Sequence, residues 1–206
     1  MNYLEEPVFK EAYDYLLANN EGNYNPYHNN KHIIDVFKNS MMLFDIYRKE
    51  YGLKHKDKIE LGLAALFHDF DHSGGKLKKD SQNIELSIKA LHDFIDTLYE
   101  IEVNENNIIE IIKATEFPHK HMELNILQEI IRDADMLSSI TDNWFEQMVS
   151  LASEFKKNLT NFIPIEINFI NSVEFYTPYC KKVLTDRRDR IVKEILKLQS
   201  ELTSFL

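Results

Sequence analysis

Residues 61–72 read Leu61-Gly62-Leu63-Ala64-Ala65-Leu66-Phe67 and then His68-Asp69-Phe70-Asp71-His72. The first seven residues are apolar on every face of a helix, which predicts a core helix enclosed by other helices. Four ionisable side chains follow within the next five residues. Because buried charges need ionic partners or a metal, we expect a functional site at the end of this core helix.

Apolar residues recur at helical spacing over nearly the whole chain. Two examples are the set Ile33, Phe37, Phe44, Tyr47 and Tyr51 and the set Leu127, Ile130, Ile131, Ala134 and Leu137. No stretch shows sustained period-two alternation, so the pattern predicts an all-α fold. The expected helices span 6–19, 30–51, 57–71, 81–101, 105–116, 122–139, 142–158, 165–176 and 185–204. Glycines and prolines, Pro164 among them, are predicted to mark their limits.

Length and composition predict an ordinary globular protein with one domain over residues 1–206. The chain is 44% hydrophobic and 28% charged, with only five Gly and five Pro, which excludes a disordered or low-complexity chain. A formal net charge of −10 argues against a nucleic-acid partner or a polybasic membrane-surface protein. No apolar run approaches membrane-spanning length, and residues 1–6 lack a signal-peptide pattern. A cytoplasmic location is the default expectation, and the lone Cys180 excludes an internal disulfide.

The spacing of two pairs of histidines gives the first indication of a functional site. His28 and His32 are four residues apart, as are His68 and His72. Positions four apart on a helix lie about 40° from each other, so each pair could face one site. Imidazole and carboxylate ligands without a thiolate suit Zn²⁺, Mn²⁺, Fe²⁺, Co²⁺ or Mg²⁺ at an open catalytic position.

Carboxylates could complete such a site. Asp69 follows His68 directly, and Asp135 lies in the polar break formed by residues 132–135 inside an otherwise apolar helix. Asp133 could equally be the inward residue, and one of the two could pair with Arg132. Spacing alone leaves this choice open.

Four motifs occur in an order that has a known counterpart. They read Pro26-Tyr27-His28-Asn29-Asn30-Lys31-His32-Ile33-Ile34-Asp35-Val36, Ala64-Ala65-Leu66-Phe67-His68-Asp69-Phe70-Asp71-His72-Ser73-Gly74, Ala114-Thr115-Glu116-Phe117 and Arg132-Asp133-Ala134-Asp135. Together they resemble the HD-domain metal-dependent phosphohydrolases. Within that superfamily they look most like the catalytic domain of class I 3′,5′-cyclic-nucleotide phosphodiesterases. The resemblance covers residues 26–138 and implies an HD-domain bundle with a metal site between central helices.

The resemblance implies a role for each matching position. The metal ligands would be His32, His68, Asp69 and Asp135, with Asp69 bridging to a second divalent ion. The catalytic residues would be His28 as general acid, with His72 and Glu85 beside the attacking water. His119 or His121 could match a further family histidine, and the alignment does not choose between them.

The function implied is metal-dependent hydrolysis of a small nucleotide-like phosphoester, with cyclic nucleotides as first candidates. The cofactors would be two divalent metal ions, of Zn, Mn, Mg, Fe or Co. Because no base-reading glutamine is evident, we expect poor selectivity between bases. The alternatives are a di-iron HD-type oxygenase, whose extra ligands would have to come from His92, His119 and His121, and a non-catalytic nucleotide- or metal-binding module. The oligomeric state is not predicted.

Overall fold

A computed structural model describes residues 3–98, 103–119 and 123–204 of the chain. Throughout these residues the regular structure is helical, which confirms the all-α prediction. The helices are α1 (Pro7–Asn19), α2 (Asn30–Tyr47), α3 (His55–Phe67), α4 (Asp80–Ile95), α5 (Glu105–Lys113), α6 (Ile126–Leu137), α7 (Trp144–Glu154), α8 (Leu159–Ser172) and α9 (Pro178–Ser204). Short 3₁₀ turns lie at Tyr3–Glu5, Glu21–Tyr24 and Ser138–Ile140. None of the described helices is long and apolar enough to cross a lipid bilayer.

Helix α3 is the centre of the bundle, as its sequence predicts. Residues 59–67 are all buried, and α3 contacts α1, α2, α4, α5 and α6. Gly62 allows α1 to approach closely, since a Cβ atom at this position would lie 2.3 Å from Cζ of the buried Phe9 ring. The helix therefore supplies the scaffold on which the residues that follow it are held.

Several helix boundaries differ from the expected ones by four or more residues: α2 ends at Tyr47 and not at 51, α4 at Ile95 and not at 101, α7 at Glu154 and not at 158, and α8 at Ser172 and not at 176, while α6 begins at Ile126 and not at 122. Three further differences have a clear local cause or consequence. Helix α8 begins at Leu159 and contains Pro164, because the Asn158 side chain caps it by accepting a hydrogen bond from Asn161 N at 2.9 Å. Helix α9 begins at Pro178, a residue type suited to the first turn of a helix, and not at residue 185. Helix α3 ends at Phe67, four residues earlier than expected, so residues 68–71 form a turn.

Hydrogen bonds from two sides hold the turn after α3 in place. Ser87 of α4 donates its hydroxyl hydrogen to His68 O at 2.7 Å. The Asn20 side chain accepts hydrogen bonds from Asp71 N and Gly22 N, both at 2.9 Å. Asp71 adopts a φ of 56°, a left-handed conformation in which the chain reverses direction. These contacts fix the residues that leave the core helix.

Candidate functional site

The four expected metal ligands converge, although they come from three separate parts of the chain. His32 Nε2 of α2 lies 3.2 Å from Asp69 Oδ2 and 3.2 Å from Asp135 Oδ1 of α6. His68 Nε2 lies 3.4 Å from the same Asp69 oxygen and 3.9 Å from the same Asp135 oxygen. The structure thus brings together two imidazole nitrogens and two carboxylate oxygens.

This cluster has the character of a cation site. Two ligands bound at about 2.1 Å to one ion lie about 3.0–3.4 Å apart, which is close to most of these separations. Both Nε2 atoms are buried and have no hydrogen-bond partner in the described part of the chain. His68 Nδ1 lies 2.8 Å from Ala65 O, so its N–H donates there and Nε2 keeps a lone pair. His32, His68 and Asp135 could therefore hold a metal ion.

The charges in the cluster also favour a cation. Burial acts to lower the pKa of His32, but Tyr27, Asp135 and Asp69 raise it well above its usual value. Burial likewise opposes protonation of His68, while Asp69 raises its pKa. The two imidazoles in turn keep the pKa of Asp69 and that of Asp135 below the usual range against the effect of burial. The carboxylates thus stabilise positive charge at the site, whether protons or a metal ion carry that charge.

Local capping sets the positions of His28 and His32. The Asn29 side chain accepts hydrogen bonds from Lys31 N and His32 N, so α2 starts immediately after Asn29. His32 consequently lies in the first turn, while His28 precedes the helix. The two rings still lie near each other, with centroids 5.7 Å apart.

His28 is held by a residue that sequence reasoning missed, Glu154 at the end of α7. Glu154 Oε1 lies 2.5 Å from His28 Nδ1, and Oε2 accepts hydrogen bonds from Tyr27 N at 2.9 Å and His28 N at 3.0 Å. Burial opposes ionisation, yet these hydrogen bonds lower the pKa of Glu154 to about 2. The two residues are 126 positions apart in sequence, so no local spacing could have indicated the pair.

His72 stacks on His28, with ring centroids 3.7 Å apart. Its Nε2 lies 3.0 Å from Asn83 Nδ2, and Gly74 N donates a hydrogen bond to its Nδ1 at 3.2 Å. Burial, together with the charge of His28, lowers the pKa of His72 to about 4. His72 is therefore neutral at neutral pH, and it anchors the loop at residues 73–75 beside His28.

The group formed by His28, His72 and Glu154 is a second set of side chains that could hold a metal ion. Its carboxylate differs from those of the first cluster, because both Glu154 oxygens already accept hydrogen bonds. Among the histidines of the two clusters, the buried nitrogens without a hydrogen-bond partner belong to His32 and His68. The first cluster is accordingly the better candidate for the metal.

Two of the predicted participants do not line the cavity, and a third lies outside the described residues. Glu85 is exposed and does not line the cavity, contrary to expectation, because it is about 200° around α4 from the inward-facing Asn83. His119 is partly buried beside Phe117, and its Nε2 has no hydrogen-bond partner within the described residues, but it does not line the cavity either. His121 lies outside the described residues.

The structure also resolves the choice between Asp133 and Asp135. Asp133 is fully buried and accepts hydrogen bonds from Tyr176 N at 2.8 Å and Thr177 N at 2.7 Å, just ahead of α9. Arg132 hydrogen-bonds Ala114 O and the Tyr176 hydroxyl group. Asp133 thus holds the start of α9, and Asp135 faces the histidines.

A cavity of about 320 Å³ is lined by Asp69 and Asp135 of the first cluster and by His28 and His72 of the second. Its polar lining consists of Tyr27, His28, Asp69, His72, Asp80, Asn83, Thr115, Asp135, Ser139 and Glu166. Its apolar lining consists of Leu77, Phe117, Met136, Leu151, Phe155, Phe162, Ile165 and Phe169. The volume is at the small end of the range for small-molecule sites.

No protein-family model matches the chain, and no curated protein matches its sequence. The HD-domain resemblance therefore stays a prediction from the motifs. What supports a function is the arrangement of side chains around the cavity.

Proposed function

We propose that the protein is a metal-dependent phosphohydrolase acting on a small nucleotide-like phosphoester, with 3′,5′-cyclic nucleotides as first candidates. The observation that carries this proposal is the pair of buried, unpartnered nitrogens, His32 Nε2 and His68 Nε2, facing the carboxylates of Asp69 and Asp135. Asp69, Asp135 and His28 all line one cavity. Two of the candidate metal ligands and the candidate proton donor would thus be within reach of the same substrate.

The lining of the cavity indicates why a phosphate ester would need a cation here. Its charged side chains are the carboxylates of Asp69, Asp80, Asp135 and Glu166, and no lysine or arginine lines it among the described residues. Apart from the histidines, an anionic phosphoryl group would therefore meet only carboxylates unless a cation were bound. One or two divalent ions at the His32, His68, Asp69 and Asp135 cluster would neutralise the phosphoryl oxygens and supply a nucleophilic water at neutral pH.

His28 is suited to protonate the leaving group. Its Nδ1–H donates to Glu154, so its Nε2 is the remaining nitrogen, and no described residue hydrogen-bonds it. When the bond between phosphorus and the leaving oxygen breaks, that oxygen takes a proton from Nε2, while water provides the new oxygen on phosphorus. The Glu154 carboxylate holds the ring in place through Nδ1, which leaves Nε2 for the substrate.

The test combines metal analysis with a substrate panel and a matched pair of variants. Purified protein is analysed for metal content and assayed with Mn²⁺ against cyclic nucleotides, nucleotide monoesters and long RNA. Asp135→Asn should lose bound metal and hydrolysis, whereas Asp133→Asn, two residues away, should keep its metal. Full metal content in Asp135→Asn, or activity on long RNA alone, would contradict the proposal.

The di-iron alternative has less support in the structure. The His92 side chain is half-exposed and bonded to Glu105, and His119 does not line the cavity. Iron content with oxygen consumption in place of hydrolysis would favour it over the phosphohydrolase. Binding of nucleotide without turnover would favour a non-catalytic module.

A further inference from the structure

The solvent-exposed end of the cavity, its mouth, is surrounded by large apolar side chains. Four of them line the cavity and are still 37–47% exposed: Leu77, Phe117, Phe155 and Ile165. They come from four separate segments, namely the loop before α4, the segment between α5 and α6, the end of α7, and α8. A group of exposed apolar side chains of this kind indicates a surface that contacts another apolar surface.

Positive charge lies beside this apolar mouth. Five exposed lysines occur in the same two segments as Leu77 and Phe155: Lys76, Lys78, Lys79, Lys156 and Lys157. The two segments are also neighbours in space, since a Cβ atom at Gly75 would lie 3.4 Å from the Phe155 ring. None of the five lysines makes an ion pair with another described residue. We call these five residues the lysine cluster.

The loop that carries three of these lysines is held by hydrogen bonds. Ser73 Oγ accepts a hydrogen bond from Leu77 N at 3.2 Å, and His72 Nδ1 accepts one from Gly74 N at 3.2 Å. Gly74 and Gly75 have φ angles of 62° and 75°, a left-handed conformation that glycine adopts without strain. Leu77 and its flanking lysines therefore project from a defined turn at the mouth.

The combination of apolar side chains and lysines indicates the chemistry of the partner. Anionic lipid headgroups attract lysines that lie near the bilayer surface. Phenylalanine, leucine and isoleucine side chains can enter the boundary between the headgroups and the acyl chains. We propose that the mouth of the cavity docks on a membrane surface that contains anionic phospholipid.

Two other kinds of partner fit this surface less well. A partner helix needs a continuous apolar groove, whereas these side chains surround an opening and come from four segments. A single-stranded nucleic acid needs aromatic rings along a basic track, but Leu77 and Ile165 are aliphatic and the lysine cluster occupies only two segments. A fluid lipid surface can adapt to separate protruding side chains, so it is the partner that the geometry favours.

The overall charge of the chain does not prevent this contact. The formal net charge of −10 argues against a polybasic protein as a whole. However, exposed charges more than about 8–10 Å apart are largely screened at physiological ionic strength, so the lysine cluster acts locally. The same screening predicts that binding to anionic lipid weakens as the salt concentration rises.

The experiment measures sedimentation of the purified protein with lipid vesicles, without nucleotide and after chelation of metal ions. Vesicles of phosphatidylcholine and phosphatidylserine in equal amounts should bind the protein, and vesicles of phosphatidylcholine alone should bind it at least about tenfold more weakly. Raising the salt from about 0.1 M to about 0.5 M should weaken binding to the anionic vesicles by a similar factor. No binding to the anionic vesicles at the lower salt, or equal binding to both kinds of vesicle, would overturn the inference.

A matched pair of double variants tests the lysine cluster. Lys156→Gln with Lys157→Gln should weaken binding to the anionic vesicles at least about tenfold. Lys181→Gln with Lys182→Gln removes the same charge from two adjacent exposed lysines of α9, which do not line the cavity, and should leave binding within about twofold. Equal losses in the two double variants would show that overall charge, and not the mouth, determines binding, and would contradict the proposal.

A second matched pair tests the apolar contact. Leu77→Gln should weaken binding to the anionic vesicles about fivefold, because it removes apolar area that enters the lipid boundary. Leu196→Gln changes an exposed leucine of α9 and should have no effect. If Leu77→Gln binds as tightly as the parent protein, the mouth does not enter the lipid and the inference is wrong.

Soluble polyanions distinguish a lipid surface from a general site for negative charge. Poly-glutamate and oligothymidylate carry negative charge without hydrocarbon chains. Either should bind more weakly than the anionic vesicles at the same concentration of charge. Equally tight binding of either polyanion would refute docking on lipid.

Docking on a membrane surface goes beyond the proposed function and does not depend on it. Vesicle binding is measured without substrate or metal. Hydrolysis can therefore fail while vesicle binding is observed, and vesicle binding can fail while hydrolysis is observed.

Discussion

Glu154 and Glu166 are residues of the same type, but their carboxylates should have opposite effects on the stability of the folded state. Both are buried glutamates near the cavity, and both are replaced by glutamine of nearly equal volume. Hydrogen bonds from His28 and the backbone hold the pKa of Glu154 at about 2, against burial, whereas burial alone raises that of Glu166 to about 7. The two substitutions should therefore change the pH dependence of stability differently.

The signs follow from the linkage between protonation and folding. A group with a lowered folded-state pKa stabilises the fold above its unfolded value, here 4.5, and that stability is lost as the pH falls through about 2. For a group with a raised folded-state pKa, the contribution to folded-state stability is present below pH 4.5 and is lost as the pH rises through about 7. Between pH 5 and pH 8, Glu154 should therefore contribute nearly constant stability, while Glu166 should progressively destabilise the folded state.

The magnitudes follow from about 1.4 kcal/mol for each pH unit by which the folded-state pKa is displaced. Glu154→Gln should cost up to about 3 kcal/mol of unfolding free energy at both pH 5 and pH 8. Relative to the unaltered protein, Glu166→Gln should gain about 2.5 kcal/mol between pH 5 and pH 8. The cost of burying an amide does not vary with pH over this range, so it does not affect the latter difference.

The assay is urea denaturation of both variants and the parent protein at pH 5 and pH 8, after chelation of metal ions. Chelation removes the stabilisation that bound metal would add to the folded state. Subtracting the parent protein cancels the titration of the histidines in the Glu166→Gln comparison, because no described histidine is bonded to Glu166, whereas Glu154→Gln also removes the partner of His28. If the gain of Glu166→Gln is the same at both pH values, solvent or another donor satisfies the Glu166 carboxylate, and burial does not destabilise its ionised form.

Three further predictions concern the site and its scaffold. Asp133→Asn should destabilise the chelated protein by about 1–3 kcal/mol in urea denaturation, because Asp133 holds two backbone N–H groups ahead of α9, whereas Asp135→Asn should destabilise it less. His28→Ala should retain its metal in elemental analysis. Its rate should fall about 10²–10⁴-fold on a ribose ester but much less on a nitrophenyl ester, because the nitrophenolate leaving group needs no proton. Equal losses on the two esters would mean that His28 positions the substrate. Gly62→Ala should destabilise by about 1–3 kcal/mol in the same denaturation assay, because its Cβ atom would overlap the Phe9 ring; an unchanged midpoint would show that Phe9 moves freely.

Features that depend on neighbours along the chain were predictable from the sequence. Residues 61–67 are apolar on every side, so only a surrounded helix could bury them, and α3 is that helix. The proximity of His68 and Asp69 to its end followed from the same stretch. The limits of α8 were not predictable from Pro164, because the cap at Asn158 allows the helix to start before the proline.

Other features depend on how helices rotate and pack, which local spacing does not encode. Asp133 and Asp135 lie about 200° apart on a helix, so only one can face the histidines, and the packing of α6 determines that it is Asp135. Glu85 faces away from the cavity for the same geometric reason, while Asn83 faces His72. Glu154 reaches His28 from a helix 126 residues away, and Glu166 is without donors only because α8 turns it into an apolar wall. Local sequence is thus enough to predict that the chain is helical and which residues are candidate ligands. Tertiary packing selects the carboxylates that meet the histidines, because that selection depends on the summed free energy of contacts between distant segments.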